Sequence, residues 1–452
     1  MKTDNIIEGN PTKKFFIEMI TRDISIEDAI IDLLDNSIDG ANRLNSEDYS
    51  GLSINITINE SEFVIEDNCG GFSLDIAKRY AFRFGRPDDA PPQKASIGRF
   101  GIGMKRALFK IGKKFEVETQ TEQDHFKVVV NVDEWSKQQT RVTDEITHES
   151  KIIDDWNFHY IINNDSRNSY NGTKIYVSDL NDEVKTLFKD DAFKEELFNK
   201  TQRLLNFSLL KGLKIILNGR ALEGEKIELL YSDKIIPYYD SGVIGNVTYR
   251  IVAGLGEVGD PKRSGWYVFC NNRLVLEADQ TSATYWGVGP TPQWHNNHVM
   301  FRGLLYLDSE ETMDLPLTTT KKGIDVTSEV YRKLAMIMQE AMSSVLNFLK
   351  MIPRLEDPNG YRKMLCERSE RKSARELKIY DFGEHPKRSF TYPELDLESI
   401  SVGQDTVRIA FDADRGLADN AKKHAGARSF KEFGKILFDY YMHMEGIDDE
   451  ES

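Results

Sequence analysis

Residues 96–112 read SIGRFGIGMKRALFKIG, a glycine-rich turn that runs into a helical pattern. Three glycines within six residues cost conformational entropy unless the backbone needs their freedom. The backbone N–H groups at the N-terminus of a helix form a cradle for anions. The stretch therefore predicts a phosphate-binding turn. Its residues are Gly98, Gly101 and Gly103, with positive charge from Arg99 and Lys105.

A second motif lies on a helix predicted upstream, over residues 23–44, where apolar residues recur at helical spacing. Ser25 suits the N-cap, with Asp28 three positions on. Asp32 and Asn36 are four residues apart, so both side chains lie on one helical face. A carboxylate there can orient an attacking water, and an amide oxygen one turn on can hold a magnesium ion. For either residue alone, an exposed polar helix face is the alternative.

Two further motifs sit at the ends of predicted strands. EDNCGGF, residues 66–72, follows a strand, and Asp67 in this tight turn can accept a hydrogen bond from the exocyclic amine of adenine. Glycines such as Gly71 let the backbone approach a base closely. Asp, Asn and Gly are also ordinary turn residues, which is the alternative here. Later, Gly172 and Thr173 open a strand pattern, and the Thr173 hydroxyl can support Asp67 through water.

In this order and spacing, the four motifs resemble the GHKL superfamily of ATPases, which includes DNA gyrase B, the ninety-kilodalton heat-shock chaperone, sensor histidine kinases, MutL and MORC proteins. The resemblance covers about residues 15–180 and implies a Bergerat-type α/β sandwich that binds Mg-ATP between its helices and a mixed sheet. It also implies a mobile ATP lid at residues 78–97. It makes Asp32 the water-activating base and Asn36 the Mg²⁺ ligand. The ATP-binding residues that it implies are Asn36, Asp67, Gly71, Gly98, Arg99, Gly101, Gly103, Lys105 and Thr173.

Two positions depart from the family pattern. The water-activating glutamate of the family falls on Asp32, which is one methylene shorter. A general base must reach its proton within hydrogen-bond distance, so hydrolysis would be slow or would use a shifted water. The first glycine of the adenine turn falls on Cys69, whereas Gly71 is retained. The sequence therefore keeps an alternative open, a nucleotide-binding scaffold that hydrolyses little ATP.

From about residue 206 the pattern changes to several strands followed by a long helix at about 327–350, which predicts an α+β domain. Asn218-Gly219 is a strong hairpin signal near its start. In gyrase B, MutL and MORC-like proteins, a transducer domain in this place sends a lysine to the γ-phosphate. By that resemblance Lys321, with Lys322 as second choice, would be a catalytic residue. A solvated loop lysine is the alternative.

The chain is thus predicted to be α+β, with four parts. They are an ATP-binding domain (1–205), a transducer-like domain (206–352), a charged linker or helical segment (353–404) and a small strand–helix–helix unit (405–452). The last unit loosely resembles ribbon-helix-helix modules, which dimerise through the strand and can place it in the DNA major groove. Arg408 alone is an obvious DNA-facing cation on that strand, so the sequence favours a plain dimerisation or packing element over a DNA-binding one.

Bulk composition limits the partners. The 452 residues carry a formal net charge of −15, which disfavours indiscriminate binding to nucleic acid or anionic membranes. The three cysteines form no CxxC pair, and no apolar run reaches the ~18–20 residues of a membrane span. The N-terminus lacks the apolar core of a signal peptide, so we expect a cytoplasmic protein.

Together these observations predict an ATP- and Mg²⁺-dependent molecular switch, an ATP hydrolase closest in layout to MORC or MutL proteins. ATP would close a lid and drive formation of a homodimer, which would act on a protein client or on DNA. A DNA-binding regulator that acts through the C-terminal unit is a further alternative.

Overall fold

The computed structural model describes eleven stretches of the chain. They are residues 9–85, 101–143, 150–163, 167–257, 260–271, 273–318, 323–355, 357–373, 377, 387–393 and 413–444. The chain divides into two compact units, Met1–Asp396 and Leu397–Ser452. Five residues singled out above lie outside the described stretches, so their roles stay predictions: Gly98, Arg99, Lys321, Lys322 and Arg408.

The first unit begins with an eight-stranded sheet and the helices that cover it. Its helices are α1 (Lys13–Arg22), α2 (Ile26–Leu44), α3 (Leu74–Ile76), which continues into a π-helical turn at Ala77–Ala81, α4 (Gly103–Ile111), α5 (Val132–Trp135), α6 (Asp182–Lys189), α7 (Asp191–Leu204) and α8 (Asn206–Leu210). Its strands are β1 (Ser53–Ile58), β2 (Glu62–Asp67), β3 (Gly112–Gln120), β4 (His125–Asn131), β5 (Gln139–Thr143), β6 (Ser150–Asp154), β7 (Tyr160–Ile162), β8 (Gly172–Leu180), β9 (Lys214–Leu217) and β10 (Arg220–Ala221). The sheet order is β10-β9-β1-β2-β8-β3-β4-β7, and β5 and β6 form a separate hairpin.

The predicted helix and first strand of this layer are confirmed. The Ser25 hydroxyl accepts a hydrogen bond from the backbone N–H of Asp28 at 3.2 Å and caps α2. The apolar stripe of α2 and the alternating isoleucines of β1 are buried in one core, because the helix packs on the sheet. This core includes Ala29, Ile30, Leu33, Leu34, Ile54, Ile56 and Ile58.

The hairpin at Asn218-Gly219 is confirmed, but its place in the chain's architecture differs from the prediction. Both residues have positive φ, 48° and 81°, as the turn requires. The sequence pattern predicts this hairpin in the second domain. Its first strand, β9, instead runs parallel to β1, with Ser53 opposite Lys214, and so extends the first sheet.

A second sheet with its helices, and a separate two-stranded sheet of β11 and β17, follow in the same unit. The elements of this part are β11 (Glu228–Tyr231), β12 (Tyr238–Ile244), β13 (Val247–Leu255), β14 (Gly265–Cys270), β15 (Arg273–Asp279), β16 (Phe301–Asp308), α9 (Glu329–Leu349), α10 (Pro358–Glu367), β17 (Glu370–Ser373) and β18 (Lys387–Arg388). Short 3₁₀ turns lie at Pro261–Arg263, Ser282–Thr284, Asn296–His298, Thr312–Asp314 and Ile352–Arg354. The six-stranded sheet has the order β15-β14-β16-β13-β12-β18, and α9 packs against β12, β13 and β16. The predicted succession of strands and a long helix is confirmed.

The segment predicted as a charged linker is partly built into this unit. Besides α10, it supplies β17, which pairs with β11, and β18, which pairs with β12. Its charged residues did not signal this pairing because a strand at a sheet edge buries little of its side chains.

The described part of the second unit, residues 413–444, forms two helices as predicted: α11 (Arg415–His424) and α12 (Phe430–Met444). Gly426, with φ of 69°, follows α11, and the Ser429 hydroxyl accepts a hydrogen bond from the N–H of Glu432 at 3.1 Å. The strand predicted around Val407–Phe411 lies outside the described stretches. Within those stretches, no helix combines the length and the hydropathy that crossing a bilayer requires.

A buried lysine ties α4 to the π-helical turn. Only 1% of Lys105 is exposed, and its ammonium group donates to the carbonyl oxygens of Ala81 at 2.8 Å, Arg83 at 2.6 Å and Gly101. Burial lowers the pKa of Lys105 to about 7. The three carbonyl contacts favour the charged form, whereas burial opposes it. Lys105 therefore fastens residues 81–83 to the first turn of α4.

We predict that Lys105→Met changes how stability depends on pH. In the unfolded chain this lysine regains its ordinary pKa of 10.5, so between about pH 7 and 10 the unfolded state binds more protons than the folded state. The free energy of unfolding of the parent, relative to the variant, should therefore rise with pH across that window, by at most ~1.4 kcal/mol per pH unit. Below about pH 7 the difference should be flat, because Lys105 is charged in both states.

Urea unfolding of both proteins at about pH 6, 8 and 9.5 measures this difference. Titration of the other lysines cancels, since both proteins carry them. A parent–variant difference that stays constant over the whole range would contradict the lowered pKa.

Candidate functional site

Three segments of the chain converge on one buried carboxylate. Asp67 ends β2 and is 5% exposed. Its Oδ2 accepts a hydrogen bond from the Ser37 hydroxyl at 2.6 Å, and its Oδ1 accepts from the backbone N–H of Cys69 at 2.9 Å and of Thr173 at 3.2 Å. Burial raises the pKa of Asp67, and the three hydrogen bonds and the nearby Arg43 oppose the rise. A carboxylate offers about four acceptor positions, and donors from the described residues fill three of those of Asp67.

Close backbone contacts around Asp67 require glycine at two of the motif positions. Gly71 has φ of 61°, and a Cβ there would lie 2.4 Å from the carbonyl oxygen of Gln120. At Gly172 a Cβ would lie 1.9 Å from the carbonyl oxygen of Asp67. Such distances are not possible for a real side chain, so the turn after β2 and the start of β8 touch through backbone alone.

Two hydroxyls complete this end of the sheet. The Thr173 hydroxyl lies 3.4 Å from that of Thr119, which accepts a hydrogen bond from the N–H of Phe72 at 3.0 Å. Sequence reasoning missed Thr119 and Ser37. Thr119 interrupts the inward-facing series Phe115 and Val117 on β3, and this break in the apolar alternation is the signal that could have identified it.

The acidic and amide residues of α2 face different surroundings. Asp32 is 8% exposed, and its Oδ2 lies 2.5 Å from a guanidinium nitrogen of Arg106, in the first turns of α4. A Cβ at Gly103 would lie 3.5 Å from the same oxygen, so the glycine turn adjoins Asp32 directly. The Asn36 side chain, one helical turn on, is exposed. Sequence reasoning missed Arg106, although it follows Lys105 in the quoted motif.

The phosphate turn predicted from the sequence is described only in part. Gly101 has φ of 65°, and Gly103 is the first residue of α4. Lys105 points into the protein toward backbone carbonyls, so its predicted phosphate contact stays a prediction that requires those hydrogen bonds to break. Arg106 is the cation of this turn that lies beside Asp32.

Helix α2 brings these groups together. Asp32 contacts Arg106 near the start of α4 and Ser37 donates to Asp67, and the exposed Asn36 lies between these two residues in the helix sequence. Within the stretches that the structure describes, no three His, Cys, Asp or Glu side chains gather at one point. Mg²⁺ commonly takes one or two protein oxygens and fills its other positions with phosphate oxygens and water, and Asn36 fits such a site.

The part of the chain that holds most of these groups resembles a known protein family. Residues 24–167 match the family model described as "Histidine kinase-, DNA gyrase B-, and HSP90-like ATPase". The matched range includes Asp32, Asn36, Asp67 and the glycine turn, and it ends before Thr173. No curated protein matches the chain. Residues 24–167 therefore carry a domain of the GHKL ATPase type.

Proposed function

We propose that the protein is a molecular switch that binds and hydrolyses Mg-ATP. The family match over residues 24–167 supports ATP binding and hydrolysis in general. The observation that carries the proposal is Asp67, a buried carboxylate that three protein donors hold in place. Its fourth acceptor position would accept the exocyclic amine of adenine. Gly71, which has no room for a Cβ, would let the base lie against the backbone.

The phosphates and magnesium would lie farther along α2. The first backbone N–H groups of α4, after Gly101 and Gly103, would face the phosphates, because a helix N-terminus attracts anions. Arg106 would contribute positive charge there. The exposed amide oxygen of Asn36 would bind the Mg²⁺ ion that neutralises the phosphate oxygens.

Hydrolysis would depend on Asp32 as the residue that orients water. Its carboxylate is paired with Arg106 at 2.5 Å, so Arg106 would have to turn toward the phosphates before Asp32 can act as a base. This ion pair favours a second candidate function, a nucleotide-binding scaffold with little hydrolysis. In the scaffold, Arg106 would stay on Asp32 throughout.

The switch itself would use two moving parts. The predicted lid, residues 78–97, begins in the π-helical turn, and Lys105 fastens its base to α4. Lys321 would reach the γ-phosphate from the six-stranded domain, in the manner of a MORC or MutL transducer. ATP would then favour the closed state and a homodimer by contacts that ADP lacks.

We predict that Asp67→Asn weakens ATP binding while the protein remains folded. The change removes the acceptor for the adenine amine and leaves a buried donor unpaired, which costs ~1–3 kcal/mol, or roughly tenfold to over a hundredfold in affinity. Glu66→Gln is the matched control, since it neutralises the adjacent carboxylate on the same strand. Titration calorimetry measures both. Parental affinity in folded Asp67→Asn would refute the adenine assignment.

Hydrolysis gives a second prediction. Asp32→Ala should retain ATP binding and lose turnover, because a base that orients water acts mainly in the transition state. Arg106→Met removes the ion pair with Asp32, and a steady-state phosphate-release assay measures the effect on turnover. Under the switch model its turnover falls, since Arg106 helps to hold the phosphates. Under the scaffold model the parent is nearly inactive, and the variant gains turnover. Full activity in Asp32→Ala would rule out its role.

The nucleotide-driven closure gives a third prediction. A non-hydrolysable ATP analogue should raise the dimer fraction in solution and protect residues 78–97 from protease, whereas ADP should do much less. Lys321→Ala should bind the analogue but remain monomeric, and Lys322→Ala should behave like the parent. Sedimentation velocity and limited proteolysis measure these effects. Equal responses to the analogue and to ADP would exclude the switch model.

A further inference from the structure

A buried ion pair joins the nucleotide-site helix to the second sheet. Arg273, the first residue of β15, donates from its guanidinium group to the Asp35 carboxylate of α2. The Asp35 side chain is 2% exposed and the Arg273 side chain is 9% exposed. The two residues are 238 positions apart in the chain. Removing one partner of a buried pair leaves an uncompensated charge, so the contact is a firm constraint between the two parts of the unit.

Asp35 lies on α2 beside the two residues that are proposed to bind Mg²⁺ and to orient water. Asn36, the proposed Mg²⁺ ligand, is the next residue, and Asp32, the proposed base, lies three residues earlier on the same side of the helix. Any shift of Asp35 therefore moves both groups. Asp67 is less dependent on it, because it is fixed by hydrogen bonds from the turn after β2 and from β8 as well as from α2.

Arg273, the other member of the pair, follows a turn that contacts the start of the segment before Lys321. Asn271, in the turn before β15, has φ of 45° and makes two hydrogen bonds to the backbone of Ser309, just after β16, at 3.0 and 2.9 Å. Residues 309–318 continue from there toward Lys321. The turn that presents Arg273 is thus fastened to the base of the segment that precedes Lys321.

We propose that Arg273 is a positioning residue that couples the six-stranded domain to the ATP site through Asp35. The proposal rests on the function proposed above. According to this proposal, the positions of Asn36 and Asp32 depend on how the start of β15 contacts α2. Movement of the second sheet would therefore adjust magnesium binding and water activation together, while adenine recognition stays constant.

The test compares Arg273→Met with a matched control whose ion pair also involves a residue of β15. Arg203 of α7 pairs with Glu277 of β15 at 3.2 Å, and both side chains are well exposed, 54% and 40%. Arg203→Met therefore removes an ion pair between the same two layers without touching α2. Arg273→Met should lower kcat about tenfold or more and raise the Mg²⁺ concentration for half-maximal activity, with ADP affinity in EDTA unchanged. Arg203→Met should match the parent in all three measurements.

A second variant covers the possibility that Arg273→Met fails to fold. Asp35→Asn combined with Arg273→Met removes both charges, a change that buried pairs tolerate better than the loss of one partner. We expect this double variant to fold and still to show reduced kcat and a raised Mg²⁺ requirement. Parental kcat and Mg²⁺ dependence in the folded double variant would overturn the proposal and leave the ATPase function intact.

Hydrogen exchange without nucleotide separates the two hypotheses further. Amides of residues 26–44 should exchange faster in the Arg273 variants than in the parent or in Arg203→Met, because α2 loses its fastening. This readout needs no ATP. If the parent neither binds nor hydrolyses ATP, the proposed function fails, whatever the exchange shows. If α2 exchanges at the parental rate in the Arg273 variants, the coupling itself fails.

Discussion

The buried carboxylate of Asp67 is the interaction on which the arrangement of the N-terminal domain depends. A charge at this depth is tolerable only with hydrogen bonds, and its donors come from residues 37, 69 and 173. Cys69 is in the turn that follows Asp67, whereas Ser37 of the helix and Thr173 of the strand lie 30 and 106 residues away in the chain. The hydrogen bonds to this one carboxylate thus bring α2, the end of β2 and the start of β8 together. Gly71 and Gly172 allow the close approach, because a Cβ at either position would clash with backbone atoms.

Helix α2 carries a second constraint, since it holds two more buried acids one turn apart. Asp32 is paired with a cation from α4, and Asp35 with a cation from β15. A buried carboxylate keeps its charge at low cost only while its partner stays close. The helix is therefore held by the glycine-turn helix on one side and by the second sheet on the other. The position of α2 therefore depends on both neighbours.

The local features of the sequence predicted much of this arrangement, because they depend on neighbours in the chain. The glycine spacing, the Ser25 cap and the Asn218-Gly219 turn each follow from backbone geometry over a few residues. The parallel pairing of β9 with β1 does not, since a turn fixes its own hairpin but not the sheet that the hairpin joins. The contact between Arg273 and Asp35 cannot be predicted from the sequence either, because nothing in the neighbouring residues distinguishes these two from ordinary surface charges.

Lysine and arginine in one motif show the same limit. A charged side chain after a glycine turn suggests phosphate contact, and Lys105 and Arg106 satisfy that pattern equally well. Only packing decides that Lys105 is enclosed among carbonyl oxygens and that Arg106 lies beside Asp32. The family match over residues 24–167 indicates the class of chemistry, whereas the three-dimensional environment assigns the individual side chains.

The sheet order also has a consequence for how this domain can be made. Strand β8 lies between β2 and β3, although it leaves the ribosome after both, and the outer pair β9 and β10 arrives later still. A fragment ending at residue 167, the limit of the family match, would lack the strand that joins its two halves and would expose unpaired edges on each. The nascent chain faces the same gap until about residue 180 has emerged, and such long-range pairing is slow to form. A piece of this chain that keeps β2 and β3 paired through β8 must therefore extend to about residue 180, past the matched range.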